Sequence, residues 1–364
     1  MRPTWVDVDL DAVAHNVSAL AGLVAPAEVC AVVKADAYGH GDVPVAEAAI
    51  DAGAGRLAVA LVSEGARLRE AGIDAPILLL SEPPVGSAPA LLQWDLTPTV
   101  YSLPMIEALA SLATSPVSVH LKIDTGMHRV GASAADALHF ARLICDSPGL
   151  DLAAVWTHFA VAEEDADFTR TQIERFEETL NVLRSEGIRV PLVHAANTAG
   201  AILFPEARYD MVRVGIGTYG LQPSPSVGAD LGLRPAMSVV SKVAHIRRHP
   251  AGTRPSYGRR RPLPSNGRVA SVPIGYADGM PRLLSSVGEV LIRGRRYPLA
   301  GTVTMDYIVV DVGNDEIEVG DEVVLIGRQG DEQIRVEEWA DLIGTINYEI
   351  VCQIGPRMPR RYLP

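Results

Sequence analysis

The chain has 364 residues, of which 48% are hydrophobic and 21% charged, so it carries enough apolar side chain for a sizeable core and is not wholesale disordered. Forty-four acidic residues against 32 basic ones give a formal charge of −12, which argues against a general nucleic-acid binder; Arg259, Arg260 and Arg261 form only a local basic patch. Cys30, Cys145 and Cys352 are odd in number and far apart, so neither a disulfide framework nor a zinc-ligand pattern is expected, and the expected compartment is reducing and cytoplasmic. Residues 1–10 carry Asp7 and Asp9 and lack the apolar stretch of a signal peptide. No uncharged apolar run reaches the ~18 residues of a membrane span.

A short strand is predicted at Val6–Leu10, then an amphipathic helix over Leu10–Leu23. From Val29 to about Leu221, short apolar runs alternate with helix-period segments. The predicted strands are Val29–Lys34, Leu57–Leu61, Ile77–Leu80, Leu96–Tyr101, Val117–Asp124, Leu152–His158, Leu192–Asn197 and Met211–Gly215. Helices are predicted at Val43–Asp51, Ser63–Glu70, Leu103–Leu112, Ala134–Cys145 and Thr169–Ser185; in the last, Ile173, Phe176, Leu180 and Leu183 recur at spacings of three and four. Apolar strands alternating with helices call for a parallel sheet covered on both faces. Eight such units in about 200 residues are what a (β/α)8 barrel requires. An open doubly wound sheet usually has fewer strands, and no GxGxxG turn follows an early strand.

Gln222–Gly232, rich in Pro, Ser and Gly, reads as a linker. Beyond it, Val239–Ile246, Arg268–Ile274, Glu289–Ile292, Tyr307–Val312, Glu322–Ile326 and Tyr348–Ile354 are predicted strands, with one helix at Val336–Leu342. The expected fold class is therefore α/β: an N-terminal (β/α)8 TIM barrel over residues 1–233 and a C-terminal mostly-β domain over 234–364. Residues 1–10 are candidates to pack with the second domain.

In such a barrel the active site lies at the C-terminal ends of the strands, with phosphate groups often near strands seven and eight. Strand one ends in Lys34, followed by Asp36, Tyr38 and His40. Strand five holds Lys122 and Asp124 and runs into Arg129. Strand six ends in His158, strand seven in Asn197 and Thr198, and strand eight carries Arg213, then Gly215 and Ile216. Lys34 after Ala31-Val32-Val33 is either a Schiff-base lysine or a strand-end lysine turned to solvent. Taken singly, the others also have ordinary explanations: core or surface histidine, loop arginine, helix cap, packing glycine.

The stretch Ala31-Val32-Val33-Lys34-Ala35-Asp36-Ala37-Tyr38-Gly39-His40-Gly41 resembles the pyridoxal-phosphate lysine motif of the alanine racemases. Lys122-Ile123-Asp124-Thr125-Gly126-Met127-His128-Arg129-Val130-Gly131 and Arg213-Val214-Gly215-Ile216-Gly217-Thr218-Tyr219-Gly220-Leu221 are similar to two more of the family's motifs. So are Ser256-Tyr257-Gly258, Ile274-Gly275-Tyr276-Ala277-Asp278-Gly279, Thr304-Met305-Asp306 and Asn347-Tyr348-Glu349. The matches fall in family order along nearly the whole chain.

The resemblance implies a PLP-dependent isomerase that interconverts L- and D-alanine for peptidoglycan, working as a cytoplasmic head-to-tail homodimer with shared active sites. It implies pyridoxal 5′-phosphate on Lys34, with Lys34 and the partner's Tyr257 as two acid/bases on opposite faces of the substrate. Arg129 would meet the substrate carboxylate and support the phenolate, and His158 would hydrogen-bond the Tyr257 phenol or lie near the cofactor ring. Arg213 would face the pyridine nitrogen and disfavour its protonation. Tyr38, Asn197, Thr198, Gly215, Ile216 and Tyr348 would serve the cofactor, chiefly its phosphate. Tyr276 and Met305 would shape the substrate end, and Lys122 would be a carbamylated lysine beside Arg129.

Two positions depart from the family's usual pattern: His128 stands where many members have glycine, and Thr304 where many have cysteine. Thr304 opens the alternative of a serine or broad-specificity racemase. A PLP-dependent decarboxylase is a further alternative, disfavoured by the absence of an HxGS run. A non-catalytic PLP carrier is disfavoured by residues 234–364. No membrane or nucleic-acid partner and no metal is expected.

Overall fold

The computed structural model describes residues 2–364. The chain divides into two compact units. One comprises Asp11–Ala37 and Asp42–Pro235; the other comprises the N-terminal segment through Leu10, Tyr38–Gly41 and Ala236–Pro364.

Strand β1 (Thr4–Asp9) belongs to the second unit. The first unit is built on β2 (Glu28–Val32), β3 (Arg56–Val59), β4 (Ile77–Leu79), β5 (Thr99–Val100), β6 (Val117–Lys122), β7 (Leu150–Trp156), β8 (Leu192–His194) and β9 (Met211–Val214). They are parallel and run in the order β4-β3-β2-β9-β8-β7-β6-β5. Thr97, just before β5, bridges in parallel to Leu78 of β4, and its neighbouring peptide bonds close the ring. This is the expected eight-stranded barrel. Its strands read as apolar runs because both faces are covered: every residue of β4, β5 and β9 is buried.

The covering helices follow from sequence stripes. In Ala166–Ser185, Ile173, Phe176, Leu180 and Leu183 are buried on one side, each contributing about 1.5–3 kcal/mol by leaving water. Asp165 starts this helix by accepting a hydrogen bond from the Phe168 N–H at 2.9 Å. Two short helices, Ala88–Gln93 and Thr198–Leu203, go beyond the sequence reading; six residues give too few turns for a periodic signal.

The second unit is mainly β. It holds β10 (Met237–Lys242), β11 (His245–His249), β12 (Gly267–Val272), β13 (Glu289–Ile292), β14 (Arg295–Pro298), β15 (Ile308–Gly313), β16 (Glu322–Gln329), β17 (Glu332–Ile334) and β18 (Arg360–Leu363). One sheet runs β14-β13-β16-β10-β1-β18 with β17 on β16, and a second runs β11-β12-β15. The predicted strand Val239–Ile246 is two strands in different sheets, split at Val243 and Ala244. The predicted strand Tyr348–Ile354 is corrected to a helix, Asn347–Gln353. Its buried residues Asn347, Ile350 and Val351 fall at spacings of three and one, a helical stripe in a segment too short to be read as one. Strands β14, β17 and β18 are additions to the predicted set; Arg295, Arg296, Arg360 and Arg361 mask the apolar pattern of two of them.

No helix among the described residues is long and apolar enough to cross a membrane. Among them, no group of three or more His, Cys, Asp or Glu is placed to hold a metal ion.

Candidate active site

Lys34 lies two residues past the end of β2, where the backbone turns left-handed. Ala35, Asp36, Ala37 and Tyr38 have φ of 53°, 54°, 51° and 53° in succession. L-residues in this region cost roughly 1–2 kcal/mol each, so the run must be held by its surroundings. The Ala37 N–H donates to the Val33 carbonyl at 3.0 Å, and the Ala35 N–H to Glu64 Oε1 at 2.7 Å. Arg67 ties the far side by donating from Nη2 to Asp36 Oδ1 and from Nε to Asp42 Oδ2, each at 2.7 Å. A strained turn held by such braces points to function at Lys34.

Inside the barrel, β6, β7, β8 and β9 bring polar side chains together. Lys122, at the end of β6, is 3% exposed, and its Nζ lies 4.4 Å from the Trp156 ring centroid. Burial, then the charges of Arg213, Arg129 and Lys34, push the Lys122 amine down to about 7. The guanidinium carbon of Arg213 lies 4.4 Å from the same ring, and His194 stacks on it with centroids 5.2 Å apart. Arg213 donates from Nη2 to the carbonyls of Ala195 at 2.6 Å and Thr157 at 2.9 Å, and to His158 Nδ1 at 3.1 Å. From Nη1 it donates to His194 Nδ1 at 2.6 Å. Burial pulls its pKa down to about 9, which leaves it charged at neutral pH.

Arg129 follows a turn built on Asp124. The N–H groups of Gly126 and His128 both donate to Asp124 Oδ1 at 3.0 Å. Burial opposes ionisation of Asp124, but these N–H groups hold its carboxyl below the ordinary range. His128 has φ 54°, a conformation glycine adopts without strain. Arg129 is exposed and makes no hydrogen bond or ion pair among the described residues. At the ends of β8 and β9, Asn197 caps the helix Thr198–Leu203 by accepting from the Gly200 N–H at 2.9 Å. The Thr198 hydroxyl accepts from the Gly215 N–H at 3.1 Å, and Ile216 is buried beside them.

Tyr38, Tyr257, Tyr276, Met305 and Tyr348 all belong to the other unit. The Tyr38 and Tyr348 rings have centroids 6.2 Å apart. A Cβ on Gly39, whose φ is 80°, would collide with the Val351 carbonyl, so the chain passes close there. Tyr257 is 75% exposed on a backbone pinned at both sides: Ser256 Oγ donates to the Thr302 carbonyl and Thr302 Oγ1 to the Tyr257 carbonyl, each at 2.6 Å. Tyr276 and Met305 are neighbours, because the N–H groups of Tyr276 and Ala277 donate to the Thr304 and Met305 carbonyls. Asp278, fully buried, accepts two hydrogen bonds from Arg2 at 2.7 Å and one from the Gly275 N–H at 2.9 Å, which anchors this loop. The Thr304 hydroxyl is spent on its own turn, donating to the Tyr307 carbonyl at 2.7 Å.

Sequence reading misses His120, His194, Trp156 and Asp278. The first three sit inside apolar strands where no motif marks them. Asp278 stands in a motif without a role of its own, and its partner Arg2 is 276 positions away.

A closed parallel barrel with charged groups at its strand ends, followed by a mainly-β unit, is the architecture of a two-domain barrel enzyme. Residues 8–223 match the family model "Alanine racemase, N-terminal domain", and residues 236–362 match "Alanine racemase, C-terminal domain". An alanine racemase of Desulforamulus reducens is 44% identical over 100% of this chain and 99% of its own length; that of Symbiobacterium thermophilum is 46% identical over 100% and 97%. Among solved structures, the alanine racemase of D-cycloserine-producing Streptomyces lavendulae superposes with a TM-score of 0.95 at 38% identity, covering 100% of this chain and 98% of that one. That of Bacillus anthracis with bound L-Ala-P gives 0.94 at 40% identity, covering 100% and 96%. The chain belongs to the alanine racemase family. It is an enzyme of the isomerase class.

Proposed function

We propose that this protein interconverts L-alanine and D-alanine with pyridoxal 5′-phosphate, as a homodimer whose two sites each take Tyr257 from the partner subunit. The observation that carries the reading is the set Lys34, Lys122, His158 and Arg213 at the strand ends of a barrel matching alanine racemases along its whole length.

The residues fit the cofactor. Lys34 stands on a strained, braced turn and would carry the aldehyde carbon covalently. The buried, charged guanidinium of Arg213 suits an unprotonated pyridine nitrogen, because a guanidinium only donates. Thr198, Gly215, Ile216 and Asn197, with Tyr38 and Tyr348, would serve the phosphate end. When bound, pyridoxal phosphate supplies an electron sink for the substrate α-carbon, and the protein steers the outcome. Arg213 would restrain that sink, since its charge would disfavour a proton on the ring nitrogen, and so would favour return of a proton over transamination.

Lys34 and Tyr257 of the partner subunit would exchange the α-proton on opposite faces. His158 would hydrogen-bond the phenol. Arg129, with no other ion pair, would meet the substrate carboxylate in planar bidentate contact. Tyr276 and Met305 would bound the side-chain end. The Thr304 hydroxyl is already engaged with Tyr307, which favours alanine over serine. The D-alanine would feed peptidoglycan synthesis in the cytoplasm.

Mixing two inactive variants tests the reading. Lys34→Ala and Tyr257→Phe should each lose at least about 100-fold in racemisation, on the scale of a lost acid/base. Mixed and allowed to exchange subunits, they should regain activity, since one site of each heterodimer has both groups. A mixture as inactive as its parts, after demonstrated exchange, counts against shared sites; full activity of Tyr257→Phe alone counts against the two-base assignment.

A further inference from the structure

His120 and His194 are buried titratable groups that the reaction above does not use. His194 is 0% exposed and His120 1%, and both sit within the barrel. The contacts form a chain: Arg213 Nη1 lies 2.6 Å from His194 Nδ1, and His194 Nε2 lies 3.1 Å from His120 Nδ1. On its other side, Arg213 Nη2 lies 3.1 Å from His158 Nδ1.

Donor and acceptor roles along this chain are forced. A guanidinium has donors only, so His194 Nδ1 and His158 Nδ1 must both accept. Neutral His194 then carries its proton on Nε2 and donates it to His120 Nδ1, which must accept in turn. His120 therefore also carries its proton on Nε2. We infer that Arg213 fixes all three histidines as neutral Nε2–H tautomers, and that His194, backed by His120, is a positioning residue that holds the Arg213 guanidinium in place. Burial agrees by pushing all three imidazoles below their ordinary range, helped next by the Arg213 charge at His158 and His194 and by the charges of Arg56 and then Arg213 at His120.

The inference rests on the proposed role of Arg213 but says something separate about the protein itself. The outer end of the chain, His158, is left with an Nε2–H, so it can only donate toward the site. It serves a phenolate rather than accepting from a phenol. The inner end, His120, lines a cavity of about 470 Å³ at the N-terminal ends of the strands.

The test is long-range 1H–15N correlation on full-length protein labelled at its nine histidines, with and without added pyridoxal phosphate at neutral pH. His120, His158 and His194, assigned by single substitutions, should all show the Nε2–H pattern. An Nδ1–H tautomer or an imidazolium at any of the three overturns the inference, whether or not the protein racemises alanine.

The positioning role has its own readout. His194→Leu removes the acceptor from Arg213, while His194→Asn restores one at the Nδ1 position. The leucine variant should lose about 10-fold or more in kcat with KM little changed, and the asparagine variant should recover most of it. Equal activity in both variants and the wild type overturns the positioning role. If His194→Leu does not fold, the wild-type tautomers still decide.

Discussion

At the scale of single residues, electrostatics of burial decides most of the site. His120 has a pKa lowered from 6.5 to about 3, first by burial and then by Arg56 and Arg213. His194 is lowered in the same direction for the same leading reason. Between pH 6.5 and about 3 the unfolded chain therefore binds protons at His120 that the folded barrel refuses. Stability is full above about pH 6.5 and is lost as pH falls, by up to about 1.4 kcal/mol per pH unit for each such histidine. His120→Asn should flatten the slope of unfolding free energy against pH in this window by about one proton, read from urea midpoints at several pH values. An unchanged slope would mean that His120 is protonated in the folded state. The residues that sequence can name are those in short contiguous motifs: Lys34, Arg129, Arg213, Tyr257. His194 lies 19 positions from Arg213 and 74 from His120, so only the barrel's closure reveals their contact.

At the scale of elements, the strand-to-loop turn after β2 carries the clearest signature. Four successive L-residues hold φ near +50°, and the braces come from Glu64 and Arg67 of the helix Val62–Glu70. Ala35 is exposed, so its methyl group contributes little packing there. Ala35→Gly should raise unfolding free energy by about 1 kcal/mol through relief of left-handed strain, offset in part by a looser unfolded chain. Equal or lower stability by denaturant titration would show that the turn is not strained at this position. Long periodic elements such as Ala166–Ser185 are legible in sequence to within a few residues. The helix Asn347–Gln353 reads as a strand because its short run of Tyr, Ile and Val suits either period. That ambiguity puts Tyr348 on the wrong kind of element, though not in the wrong motif.

At the scale of the whole molecule, the two units divide the chemistry. The barrel unit holds Lys34, Lys122, Arg129, His158 and Arg213, while Tyr257, Tyr276 and Met305 lie in the unit that comes after it. The barrel is legible because eight apolar runs alternating with helices leave few other topologies. The boundary is less so: Tyr38–Gly41 crosses to the second unit, where Arg360 donates to the Gly39 carbonyl at 2.8 Å, and no composition change marks that short excursion. The sharing of sites proposed above predicts activity only in the associated state, so activity should depend on protein concentration. The decisive assay is D-alanine formation from L-alanine by the purified protein with added pyridoxal phosphate, with L-serine in parallel. D-alanine should form fast, and the proposed placement of Thr304, whose hydroxyl donates to the Tyr307 carbonyl, predicts serine turnover at least about 10-fold slower, a difference of about 1.4 kcal/mol. Folded protein that binds pyridoxal phosphate yet forms no D-alanine would contradict the assignment of alanine racemisation to this site.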